Sequence, residues 1–172
     1  MSEFSRLVDI RSLPAAPIRL EAEPAECAAL ARRFDIVAIH DFEATVALEK
    51  DGAAIDATGR LAARLVQSCA VSGEDLAVTI DEPVVLRFVP PGAPRRPDEE
   101  VELEAEDCDE IEFEGTQFDL GEALAQSLAL AIDPFLTGPG AEEARRKAGI
   151  VDEPASGPFA ALKGLKLNPP AS

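Results

Sequence analysis

The sequence predicts an α+β domain dominated by an antiparallel β-sheet, strongly twisted or partly closed, with one early and one late packed helix. Three observations predict it. Apolar and polar residues alternate over 36–48 and again over 55–71, with an Asp-Gly pair between the two runs. The stretches 24–34 and 118–134 instead repeat apolar residues at the helical period. Nearly half of the 172 residues are apolar (47%), yet no apolar run approaches the roughly 20 residues that cross a bilayer. A packed core in water is the expectation, without a membrane partner.

Taken in order, IRLEAEP (18–24) reads as a short strand, and PAECAALARRF that follows reads as a helix. Pro24 falls near its first turn, where a missing N–H costs nothing. Cys27, Leu30 and Phe34 recur at helical spacing, which makes Cys27 a small core residue. From Ile36 to Leu48 the even positions Ile36, Ala38, Phe42, Ala44, Val46 and Leu48 share one face of a strand, and His40 has their parity. Lys50-Asp51-Gly52 supplies a hairpin turn. Ile55, Ala57, Leu61, Ala63, Leu65, Cys69 and Val71 then face one way, and Asp56, Arg60, Arg64 and Ser68 the other. Gln67 is the one polar residue on the apolar side.

After the SGED turn, LAVTIDEPVVLRFVPPG continues extended, and Pro83 calls for a bulge, an edge or a bend because it has no N–H to give a ladder. PPGAPRRPDEE is a loop by its prolines. VELEAE and IEFE alternate again, with a turn or bulge at DCDE to avoid burying carboxylates. In FDLGEALAQSLALAIDP, Asp119 stands at a capping position with Glu122 three residues on. Leu120, Leu124, Leu128 and Ile132 form the stripe, and Pro134 ends it. These elements make a single α+β domain over 1–136. Residues 137–172 form a polar, Pro/Gly-rich extension with a short amphipathic docking segment at 158–167, where Phe159, Leu162 and Leu165 are spaced three apart beside Lys163 and Lys166. That segment either folds back on the core or meets a partner.

The formal net charge is −17. Such a charge repels phosphate backbones at long range and favours a basic partner, and affinity for nucleic acid would need a local basic patch. Eleven acids and no base lie between Asp98 and Glu114, whereas Arg6, Arg11, Arg19, Arg32, Arg33, Arg60 and Arg64 fall early in the chain. Three separated cysteines, and an amino terminus without a basic start and apolar stretch, point to a reducing compartment, the cytoplasm.

Motifs of catalysis are missing from the sequence: there is no P-loop, Gly-x-Gly-x-x-Gly turn, His-Glu-x-x-His or Gly-x-Ser-x-Gly elbow. The one histidine, His40, sits on a strand predicted to face the core, where a hydrogen-bonded structural role is expected. Cys69 has Ser72 where a Cys-x-x-Cys turn would place a second thiolate, and a closed zinc site needs about four ligands. Cys108 lies among acids that would hold its thiol protonated. No cofactor, no metal and no enzymatic activity are expected. Tyr and Trp are also absent, which weakens any base-stacking surface.

The order of segments resembles the YceD family, the large ribosomal RNA subunit accumulation proteins. The resemblance is carried by GRLAARLVQSCAVSGEDL, then VVLRFVP, an acidic stretch, FDLGEALAQSLALAIDPF and finally GPFAALKGLK, spanning roughly Gly59 to Lys166. Many members have Cys-x-x-Cys at Cys69 and Ser72 and another cysteine after the Leu-rich helix. This chain has neither the second nor the later one, so metal binding is not implied here. What the resemblance does imply is a non-enzymatic cytoplasmic factor for the accumulation or processing of 23S rRNA and for assembly of the large ribosomal subunit. Its partner would be 23S rRNA or a pre-50S particle, or a basic large-subunit ribosomal protein such as L32.

Two kinds of surface could serve that role. Arg60 and Arg64, four apart on one strand face and about 13 Å apart when extended, could meet phosphates with Arg87 from a neighbouring strand. The opposing expectation is that these arginines pair with acids across the strands. Alternatively Glu102, Glu104, Glu106 and Glu112, with Phe159 and Leu162, would hold a basic protein as an acidic chaperone or adaptor does, without direct RNA contact.

Overall fold

Alternation with period two sets the centre of the molecule. The computed structural model describes residues 2–92 and 109–149. Their elements run β1 (Leu7–Asp9), β2 (Ile18–Glu21), α1 (Pro24–Arg33), β3 (Ala38–Asp51), β4 (Ala54–Ser68), β5 (Asp75–Val89), β6 (Asp109–Glu112), β7 (Gln117–Asp119), α2 (Leu120–Ala131) and α3 (Ala141–Lys147). A five-stranded sheet has the order β2-β3-β4-β5-β6. Its first four strands are antiparallel neighbours, and β6 joins β5 in parallel. β1 and β7 pair separately as a two-stranded ribbon.

The sheet is open, with β2 and β6 at its edges, so the partial closure expected from the sequence does not occur. Among the described residues each edge strand spans four residues, beside central strands of 14 or 15. Pro83 stands in β5 opposite Arg60 of β4, and among the described residues β6 pairs with Leu86–Val89 and not with Pro83.

One face of the sheet carries the core. Phe42, Val46, Leu61, Leu65 and Phe88 are 1% exposed or less and pack with Leu30 of α1 and Leu120, Leu124 and Leu128 of α2. Phe4, which no periodicity marks, is fully buried, its ring centroid 5.2 Å from that of Phe42. In α2, Asp119 accepts the N–H of Glu122 at 3.1 Å, as a cap should. The Glu122 carboxylate reaches Arg33 and Ser2.

Several expectations need correction. In β3 the pairing with β4 slips between Ile39 and Asp41, so Ile39 turns inward and His40 faces solvent. A bulge inserts one residue and inverts parity beyond it, which straight alternation from Phe42 back to Ile36 cannot register. Val71 is 38% exposed, because β4 ends at Ser68 and the parity rule ends with it. Of the DCDE turn or bulge, Asp109 and Glu110 belong to β6, and 107–108 lie outside the described residues. VELEAE (101–106), Cys108 and the 158–167 segment lie outside the described residues.

Candidate functional site

The outward face of the sheet is built by alternate residues of its long strands, and here the structure places the predicted arginines. Arg60 on β4 donates from Nε and Nη2 to Oδ1 of Asp81 on β5, at 2.9 and 2.7 Å. Arg64 donates to Asp41 of β3. Arg87 on β5 bridges Asp56 at 2.6 Å and Asp51 at 2.7 Å. These are cross-strand pairs set by register: Arg87 lies directly opposite Asp56, and Arg64 directly opposite Asp41. The three guanidinium groups thus share a face but engage four carboxylates, with Arg19–Glu43 extending the row across β2 and β3. Such a surface offers a phosphate backbone little uncompensated positive charge.

The acidic residues predicted to hold a protein are only partly within reach. Glu112 ends β6 and is exposed, while Glu102, Glu104, Glu106, Phe159 and Leu162 lie outside the described residues. Glu112 borders a groove of about 320 Å³ between β6, β7 and the first half of α2.

A third locus escaped the sequence reading. Cys69 lies at the end of β4, 4% exposed, with its parity inward as its neighbours require. Its sulfur accepts two backbone N–H groups, from Ser72 and from Gly138, both at 3.3 Å. The loop after α2 is clasped here by several more bonds. Gln67 Nε2 donates to the Asp133 carbonyl at 2.6 Å, the Ala70 N–H to Leu136 at 2.9 Å, and the Gly140 N–H to Oε1 of Glu74 at 2.8 Å. Hydrogen bonds from the Ser72 side chain, then from the N–H groups of Gly138 and Ser72, pull the Cys69 thiol down to about 6. Burial pushes the Cys27 thiol up.

These residues do not fit a zinc ion. Cys69 is a single thiol, Ser72 stands in the second position, and no cluster of three metal-ligating side chains occurs among the described residues. Sequence offered one hint of the clasp: Gln67, polar on an apolar face, is the side chain that ties the strand to the loop.

A second junction ties the two longer helices together. Arg33 at the end of α1 donates to both carboxylate oxygens of Glu122 near the start of α2, at 2.8 and 2.6 Å, and to Glu3 at 2.9 Å.

The model of the family described as large ribosomal RNA subunit accumulation protein YceD matches residues 57–166, more than half of the chain. The chain belongs to the YceD family. No curated protein and no solved structure matches it. Within the YceD match fall all but the first three residues of β4, then β5, β6, β7, α2 and α3, and with them the Cys69 clasp and Arg60, Arg64, Arg87 and Asp81 of the arginine face, whereas β1, β2, α1 and β3 precede it, with Asp41 and Asp51. One feature of the matched segment FDLGEALAQSL has a direct physical reason. Gly121 lies under the chain entering from the amino terminus, where a Cβ would sit 2.5 Å from the Phe4 carbonyl oxygen and 2.7 Å from the Arg6 nitrogen. Only glycine allows that crossing. Among the described residues no helix is long and apolar enough to cross a membrane.

Proposed function

We propose that this YceD-family protein is a non-enzymatic cytoplasmic factor supporting accumulation of 23S rRNA and assembly of the large ribosomal subunit, and that it works by holding a basic large-subunit ribosomal protein. The family description supports the role in large-subunit rRNA accumulation. The observation that carries the mechanism is the pairing of Arg60, Arg64 and Arg87 with Asp81, Asp41, Asp51 and Asp56 in a chain of net charge −17. With those cations compensated, the long-range field attracts a Lys/Arg-rich protein and repels free RNA. The acidic stretch 98–114 would supply most of the attraction, through Glu102, Glu104 and Glu106.

The test uses the tagged full-length protein, captured with and without ribonuclease treatment. A basic large-subunit protein, with L32 among the candidates, should stay bound after ribonuclease and dissociate as salt rises. Loss of every ribosomal partner on ribonuclease treatment would transfer the function to direct contact with 23S rRNA or a pre-50S particle. Depletion should lower large-subunit rRNA relative to small-subunit rRNA; an equal fall in both would remove the functional assignment itself.

A further inference from the structure

The groove beside β6 has an apolar floor and an acidic rim. Leu7, Ile111, Phe113 and Phe118 contribute to the floor, and Leu7 is 64% exposed, a large aliphatic side chain left uncovered. Glu112 and Glu114 stand on the rim, both exposed, and neither has an ion-pair partner among the described residues. A volume of about 320 Å³ suits one or two side chains and not a folded element.

We propose that the basic segment 159–167 of this same chain, FAALKGLKL, docks into this groove. The stretches 93–108 and 150–172 lie outside the described residues. The first holds seven acids against Arg95 and Arg96, and Glu112 and Glu114 would repel it; the second carries Asp152 and Glu153 near its start, but its part 159–167 holds two lysines and no acid. The pattern of the segment matches the groove as well. On a helix Phe159, Leu162 and Leu165 share a stripe; Lys163, four positions after Phe159, borders it, and Lys166, four after Leu162, lies at its upper end between Phe159 and Leu162 in angle. Apolar side chains would cover Leu7 while the lysine stems reach outward to the rim carboxylates.

Phe159 lies ten positions beyond Gly149, a reach of about 33 Å when extended. The groove is lined by Ala123 and Gln126 in α2, and the chain leaves the far end of that helix for α3. Returning along α2 takes about 18 Å for its twelve residues, and α3 adds about 10 Å.

Trypsin cleavage after Lys163 and Lys166, followed by mass spectrometry on the full-length protein, tests the docking. At low ionic strength the release of these peptides should be about tenfold slower than from the Phe159→Ser/Leu162→Ser variant, because cleavage follows the undocked population. Glu112→Gln/Glu114→Gln should speed release several-fold while the thermal transition of the domain stays in place. Carbodiimide coupling of the monomer should join Lys163 or Lys166 to Glu112 or Glu114. Equal cleavage rates in all three proteins would overturn the proposal. So would protection that rises with protein concentration, which means a second copy, or protection that needs an added ribosomal protein, which means a partner.

Discussion

The sulfur of Cys69 accepts the backbone N–H of Gly138 at 3.3 Å, joining the end of β4 to the loop that follows α2. With the Ser72 hydrogen bonds it holds the thiol at about 6 instead of 9. One thiol should therefore titrate near pH 6 in thiolate absorbance, and Cys69→Ala should abolish that step. The sign for stability follows from a lowered pKa. The contribution of the thiolate is fully present above the unfolded value near 9 and is lost as pH falls through about 6. Denaturation midpoints of the native protein should thus rise from pH 6 to pH 9 relative to those of Cys69→Ala. Parallel profiles would refute the thiolate.

Gly121 gives a prediction whose sign distinguishes packing from helix propensity. Alanine in place of glycine in a helix ordinarily stabilises by up to about 1 kcal/mol. Here the added Cβ would meet the backbone of Phe4 and Arg6, which cannot move without releasing the Leu120 N–H from the Arg6 carbonyl. Gly121→Ala should lose about 1–3 kcal/mol in a urea denaturation. Gly59→Ala should lose at least as much, since its Cβ would fall 2.0 Å from the Thr45 carbonyl oxygen. A gain at Gly121 would mean that the amino-terminal crossing is loose.

The Arg33–Glu122 junction makes a statement about acid. The Arg33 guanidinium holds the Glu122 carboxyl at about 2, with smaller help from Ser2 and Gln126, against an ordinary 4.5. Stability from this carboxylate is present above pH 4.5 and is lost as pH falls toward 2. Glu122→Gln should cost about 1–2 kcal/mol at pH 7, since the pair is bidentate and only partly exposed. Its deficit should shrink toward zero at pH 2, as the native protein becomes protonated too. A deficit unchanged between pH 7 and pH 2 would assign the loss to shape rather than charge.

The elements most legible in the sequence were those whose pattern repeats without interruption. β4 keeps strict alternation from Leu61 to Gln67, and the stripe of α2 runs from Leu120 to Leu128, so period alone located their buried faces. Where a bulge broke the count, at Ile39 to Asp41, parity put His40 on the wrong side. The two ribbon strands were invisible for another reason. β1 and β7 have three residues each and exist because Arg6 and Leu120 are hydrogen-bonded across 114 positions, which no local window contains. The arginine face lies between these cases. Alternation showed that Arg60 and Arg64 share a side, but their aspartate partners depend on the register of three strands, fixed only by folding. The Cys69 clasp was hidden because its donors are backbone groups, present in every residue and marked by none.

That register decides what the arginines can do. An exposed pair is worth at most about 1 kcal/mol, so Arg60→Ala/Arg64→Ala should shift stability by less than about 2 kcal/mol. If the protein holds a basic partner, removing these cations makes its face more negative. The ratio of large- to small-subunit rRNA in depleted cells should then be restored as well by this double variant as by the native protein. Direct grip on rRNA demands the reverse, because each phosphate must displace an aspartate and gains nothing from an alanine. Binding of a 23S fragment would fall in the double variant, and its salt dependence would flatten by roughly one counterion per lost contact. Failure of the double variant to restore rRNA levels, in a protein that still unfolds cooperatively, would therefore place the function on Arg60 and Arg64 and not on the acidic stretch.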